Sequence, residues 1–198
     1  MKKLLILALL ALASTPALAA PPPQPKVVVL DRVGLLQFSK VGRSIAQQLQ
    51  AMNAQTKSSF DAQQKSLLAE SQVLRQQVAI MAADQRQKKE DAFNAKVRAI
   101  EDTAQRRAAQ IQQAGQVAQA AVAQALGPIV VDLVKERGAN MVLDKQAVVF
   151  SNSNAFDITT DAISRLDAKM SNYKVVLGAP MPEATVALVH DISEGNMF

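Results

Sequence analysis

The chain has 198 residues, no cysteine, no tryptophan and an aromatic content of 4%, with a formal charge of +5. The absence of cysteine rules out disulfide staples and thiolate metal sites, and the shortage of aromatics argues against one large globular core. Only one histidine is present, His190, so histidine-based acid–base chemistry has almost no material to work with.

MKKLLILALLALASTPALAA (residues 1–20) has the form of a secretory signal. Lys2 and Lys3 form its charged start, and residues 4–13 form an apolar stretch too short to cross a bilayer. Ala17-Leu18-Ala19 fits small-x-small processing, which predicts a signal peptide over 1–19 and an exported, soluble mature chain. The competing reading is an uncleaved anchor. No cysteine follows the apolar stretch, which excludes a lipid-modified N-terminus.

PPPQP (21–25) is expected to be an extended lead. KVVVLD (26–31) is an unbroken apolar run ending in a charge, which suits a short strand covered on both faces. Helical spacing then takes over, with Gly34 and Gly42 as places for a late start or a bend. Apolar or small residues recur at Ile45, Leu49, Met52, Thr56, Phe60, Leu67, Leu74, Val78 and Met81. A second series runs through Phe93, Val97, Ile100, Ala104, Ala108 and Ile111. Both mark narrow seams of the coiled-coil kind, and steps of 4-3-4-4 drift towards an eleven-residue period and a nearly straight pairing. The series break at IMAADQR (80–86), which predicts a helical hairpin with Asp84 capping the returning helix. One continuous helix is the alternative, because neither glycine nor proline enforces the turn.

Beyond this arm, Arg137-Gly138 marks a helix end. NMVLD and AVVFS are expected to form a hairpin of strands, at 140–144 and 147–151. DITTDAISRLDAKM closes as an amphipathic helix with Thr159 as its N-cap; Asp161 reads as a partner for the helix dipole, with metal ligand as the alternative, though no clustered ligands accompany it. The expected class is α+β, with a long helical hairpin over 43–125 attached to a small β-rich head made from 20–42 and 126–170. Residues 171–198 form a C-terminal extension, read either as an added strand (YKVVL) or as disorder after Gly178. A head this small holds little core of its own, and its apolar runs are continuous rather than alternating. Self-association is therefore expected to bury Val27, Val28, Val29, Leu30, Met141, Val142, Leu143, Val148, Val149 and Phe150.

From Ser39 to Ala125 the chain carries 12 Lys/Arg against 7 Asp/Glu, so the arm is cationic while the rest of the mature chain is slightly acidic. Such an arm attracts acidic proteins, anionic lipid or nucleic acid, and export argues against the last. Arg75, Arg86, Lys88, Lys89, Lys96 and Arg98 are the candidate binding residues; each taken singly reads as a solvated coiled-coil charge. Glu90-Asp91 and Glu101-Asp102 read as surface partners of nearby bases rather than general acids. No phosphate loop or zinc-ligand spacing occurs, and no enzyme, cofactor or metal is expected.

KVVVLDRVGLLQFSKVGRSIAQQL resembles the opening strand and helix of the Skp (OmpH) periplasmic chaperones. AQALGPIVVDLVKERGANMVLDKQAVVFSNSNAFDITTDAI resembles their closing part, with Asp157-Ile158-Thr159 before the last helix. The resemblance covers about 26–170 and is weakest in the arms, whose tip looks shorter than in many relatives. It implies a homotrimer with a β-barrel body and three helical tentacles around a cavity. It also implies an ATP-independent holdase that binds unfolded outer-membrane proteins in the periplasm, with contact to anionic lipid or lipopolysaccharide left open. A structural coiled-coil adaptor of the cell envelope is the competing reading.

Overall fold

The computed structural model describes residues 24–151 and 153–180. The expected signal peptide, His190 and the stretch after Pro180 lie outside the described residues. Among the described residues four α-helices and two strands follow one another, β1 (Val27–Leu30), α1 (Arg32–Phe38), α2 (Lys40–Val78), α3 (Ala83–Glu136), β2 (Met141–Asp144) and α4 (Thr159–Lys169), with 3₁₀ turns at Lys145–Ala147 and Asn154–Phe156 between the last two. The chain is mostly helical, with one small sheet.

Asp31 ends β1 and starts α1, its carboxylate accepting from the Gly34 N–H at 2.7 Å. The helix stops after seven residues because Ser39 turns to extended backbone. The buried Ser39 hydroxyl then caps α2 through the Gly42 N–H at 3.1 Å. Gly42 makes this bend feasible. A Cβ there would sit 1.7 Å from the Leu36 carbonyl oxygen, so α1 can fold back onto α2 only over a bare backbone.

α2 and α3 form the hairpin, turning through 79–82 as the seam break predicts. At the usual rise they are about 58 and 81 Å long. Ala82 occupies the N-cap position of α3 without a side-chain bond, so Asp84 is not the cap; it sits in the first turn, where its charge complements the dipole. The seam residues from Leu49 to Met81 and from Phe93 to Ala104 are half-buried, whereas Ala108 is exposed. Between residues 46 and 110 no side chain is fully buried.

Burial is concentrated at the base. Leu35, Val41 and Ile45 meet Ala118, Val122, Ile129 and Leu133 of α3, and Ile158, Ala162 and Leu166 close the other side. Val28 and Leu30 of β1 enter this core, while Val27 and Val29 are half-buried. The lower part of α3 is long and apolar enough to cross a membrane by length and composition. Its base packs against α2 and α4, but only 28% of that apolar stretch is buried within this chain.

The sheet departs from expectation. β2 pairs with β1 in parallel, in the register Val27↔Met141 to Leu30↔Asp144, rather than with AVVFS in a hairpin. The entire helical arm is thus the crossover that a parallel pair requires. β2 ends where the Asp144 carboxylate accepts from the Gln146 N–H at 3.1 Å, starting a 3₁₀ turn at Lys145–Ala147. Residues 148–151 form no strand within this chain. The other edge of β1 is met by a single bridge, Val29 to Asp157, with the Ile158 N–H bonding the Val29 carbonyl at 2.9 Å.

Asp157-Ile158-Thr159 is the clasp of the head. Ile158, not Thr159, holds the N-cap position of α4, without a side-chain bond of its own; one residue earlier the Asp157 carboxylate accepts from the Thr159 N–H at 2.9 Å. The Ile158 side chain is fully buried, and the Thr159 hydroxyl accepts from the Asp31 N–H at 2.9 Å. After α4 the chain continues in extended form. YKVVL adds no strand to the sheet, but Tyr173, Val175 and Leu177 pack against the core.

Candidate functional site

Two surfaces stand out: a concave apolar face on the head and a groove along the arm.

On the head, Met141, Val142 and Leu143 of β2 are exposed, as is Phe156. Val149 and Phe150 stand free of the chain, at 102% and 83% of their full accessibility. With Val27, Val29 and Val148 several of these line a concavity of about 930 Å³. Of the candidate assembly residues, Val27, Val28, Val29, Leu143, Val148 and Phe150 line the concavity, Val28 being also buried; Leu30 belongs to the internal core, and Met141, Val142 and Val149 are exposed but outside the lining. The face is rimmed by ion pairs. Arg137 meets Asp161 at 2.6 Å, which settles Asp161 as an ion-pair partner within the first turn of α4. Lys145 meets Asp157 at 2.9 Å.

These pairs set the local electrostatics. Burial alone would raise the Asp157 carboxyl, but hydrogen bonds from Thr159 and Lys145 hold it below the usual carboxylate range. The Lys145 ammonium is raised by its bond to Asp157. Asp144 is lowered by the Gln146 N–H and by Arg32, which it meets at 2.6 Å. Glu136 is lowered by Arg165, which grips it through two nitrogens at 2.8 and 2.6 Å.

On the arm, α2 and α3 touch only along the seam, leaving a cleft on one flank. Its lower part, about 400 Å³, lies between Gln55, Phe60 and Gln63 on α2 and Thr103, Arg106, Arg107 and Gln110 on α3. It continues past Leu67, Lys96 and Ile100 to Leu74, Lys89 and Phe93. The floor is apolar and the rim is basic. A chain segment with alternating apolar and polar side chains finds both kinds of contact there.

All six candidate binding residues are exposed, but they do not form one patch. Lys89 and Lys96 line the cleft, and Lys96 also pairs with Glu70 across the hairpin. Arg86 lies at the tip, where a guanidinium nitrogen donates to the Met81 carbonyl at 3.4 Å. Arg75 lies in the last turn of α2, and neither it nor Lys88 nor Arg98 lines the cleft. Sequence reasoning missed Arg106 and Arg107. The signal was there: Lys89, Lys96 and Thr103 step by seven, and Arg107 follows four later, which keeps them on one flank of the seam.

The family described as outer membrane protein (OmpH-like) matches residues 26–166. Six solved chains match. One is the crystal structure of a candidate outer membrane chaperone (OmpH-like) from Caulobacter crescentus, with a TM-score of 0.72 and 22% identity, covering 82% of this chain and 95% of that one. At that identity the likeness establishes the fold. No match was found among curated proteins.

Proposed function

Because the chain belongs to the OmpH-like outer membrane protein family, we propose that it is an ATP-independent holdase of the periplasm. It keeps unfolded outer-membrane proteins from aggregating by sheltering them between helical arms, and a trimeric head groups those arms around one space. The observation that carries this reading is the arm itself. Two long helices leave every side chain between residues 46 and 110 at least partly open, around a cleft with an apolar floor and a basic rim. Such a surface gives many weak contacts and no single tight one.

The head supports the assembly. An exposed apolar face that includes Val149, Phe150 and Phe156 is a surface that soluble chains normally cover. Further copies of the same face would cover it and give AVVFS neighbours that it lacks within one chain. The exposed large apolar side chains of the arm, Leu68, Val73 and Ile80, are scattered. That suits dispersed contacts with unfolded chains better than the continuous stripe of a coiled-coil adaptor. Anionic lipid or lipopolysaccharide would meet the same basic rim.

The test is direct. A urea-denatured outer-membrane barrel is diluted into the purified mature protein while light scattering is followed. Suppression of scattering near one trimer per barrel is expected; unchanged aggregation at stoichiometric excess refutes the holdase reading.

A further inference from the structure

We propose that glutamine amides along the arm's cleft hold an unfolded client by its main chain. The four amides are those of Gln55, Gln63 and Gln77 on α2 and Gln110 on α3. Gln48 shows the mode of binding on an extended segment of this chain itself. The client as ligand rests on the holdase reading, whereas the contact at Gln48 stands without it.

The last turn of α4 reaches the arm's base, where the Asp167 carboxylate accepts from the Lys40 N–H at 2.7 Å. Residues 173–177 then lie extended beside α2. Gln48 donates to the Tyr173 carbonyl at 2.6 Å and accepts from the Val175 N–H at 3.0 Å. These two groups flank Lys174, and one residue of a parallel neighbouring strand takes the same pair. Ser44 steadies the amide, its hydroxyl and carbonyl lying 3.2 and 3.3 Å from the Gln48 nitrogen. Burial alternates along the segment: Val175 is 4% exposed, Tyr173 and Leu177 are half-buried, and Lys174 and Val176 are exposed. One glutamine beside an apolar floor therefore holds a backbone whatever side chains point outwards. The segment lies beyond the residues that the family matches.

The same parts recur further up the arm. Gln55 follows Gln48 by one heptad, and Gln63 and Gln77 follow after eight and fourteen more residues, which keeps all four on one flank of α2. Gln55, Gln63 and Gln77 line the cleft beside half-buried Phe60, Leu67 and Leu74, with Gln110 opposite the first two. Among the described residues the glutamine side-chain bonds belong to Gln48 and Gln87, so the four cleft amides have both donor and acceptor to offer. An unfolded outer-membrane chain has the complementary need. Its strands alternate apolar and polar residues, and until they pair their N–H and C=O groups lack a protein partner. Extended backbone offers such groups to one side about every 6.6 Å. Successive cleft glutamines on α2 stand roughly 12 Å or more apart. No fixed register satisfies both spacings, so each long side chain takes the nearest pair and the client can slide. Main-chain bonds of this kind hold many sequences weakly and prefer none.

Methionine matches glutamine in length and helix propensity but lacks its amide donor and carbonyl acceptor. Gln55→Met, Gln63→Met, Gln77→Met and Gln110→Met are combined in the full chain, and binding of a fluorescently labelled, urea-denatured outer-membrane barrel is followed by anisotropy. Affinity is expected to fall about 10- to 100-fold, at roughly fivefold for each bond lost. A merely apolar contact gives the opposite sign, because methionine enlarges the apolar floor. Unchanged or tighter binding therefore overturns the proposal. Gln50→Met, Gln64→Met, Gln72→Met and Gln76→Met lie outside the cleft lining and should together keep affinity within about twofold. An equal loss from these four overturns the cleft as the site. Without client, Gln48→Met should quicken hydrogen exchange at the Val175 amide about tenfold or more, with helicity unchanged. Unchanged exchange overturns the contact from which the mode of binding is drawn. Failure of the unaltered chain to bind the barrel refutes the holdase reading and the client's place in the cleft with it, and leaves the Val175 result standing.

Discussion

At the base of the molecule Leu35, Leu133, Ile158 and Leu166 are almost wholly removed from water, while along the arm the same residue types stay half-open. The two regions differ less in composition than in the number of partners each side chain finds. A seam residue in a two-helix hairpin meets one opposing helix, whereas Leu133 belongs to a core shared by α1, α2, α3, α4 and β1. Stability therefore resides in the head and accessible surface in the arm. The arm keeps its helices because they are long and anchored at one end, not because their seam is strong.

The largest expected effect sharpens what the head does beyond its own core. Val149→Asp costs a single head nothing, since the side chain is fully exposed. Buried at a contact between copies, an unpaired charge should cost on the order of 3–5 kcal/mol. Native mass spectrometry should find the oligomer lost while circular dichroism stays unchanged; an unaltered oligomer refutes the assembly. Next comes a matched pair. Leu133→Ala should lower stability by about 2–5 kcal/mol in urea titration, against about 1 kcal/mol for Leu67→Ala in the arm. Equal losses would erase the distinction between the regions. Gly42→Ala should cost about 1–3 kcal/mol by driving a methyl into the Leu36 backbone. Hydrogen exchange should quicken first at the α1–α2 bend.

The smallest effect concerns pH. Asp157 has a lowered folded pKa, so its stabilising contribution is present above the unfolded value and is lost as pH falls through the folded one. Lys145 is raised, so its contribution is present below the unfolded value and is lost as pH rises through the folded one. The head should hold a plateau at neutral pH and slope downwards below about pH 4. Asp157→Asn should flatten that acid slope in thermal melts, with little change in melts of arm helicity.

What could be read from residues alone follows the same division. The seams are periodic, so both arm helices and the turn between them were legible, and Arg137-Gly138 correctly marks a helix end, with Gly138 at φ +59°. The pairing of the strands was not. NMVLD and AVVFS are close in sequence, which favours a hairpin on local grounds. The outcome was decided instead by Lys26, Asn140, Asp31 and Thr159, which bond across the head. Likewise Thr159 has the composition of a cap, but its hydroxyl is engaged by Asp31, Ile158 holds the cap position, and the Asp157 carboxylate takes the Thr159 N–H. Arg106 and Arg107 escaped notice because charge counts along a helix do not say which flank of the seam a residue occupies.

The parallel pairing of β1 with β2 bears on how the chain reaches this state. Val27 and Met141 belong to strands whose nearest contact, Lys26 to Asn140, spans 114 residues. Closing so long a loop from a disordered chain costs about 4 kcal/mol of entropy. Once α2 and α3 zip from the turn downwards, the two ends arrive together and most of that cost has been met in small local steps. The arm is then a folding scaffold for the head as well as a surface. Its length becomes nearly free to vary, since matched insertions in both helices lengthen the path without altering where it closes.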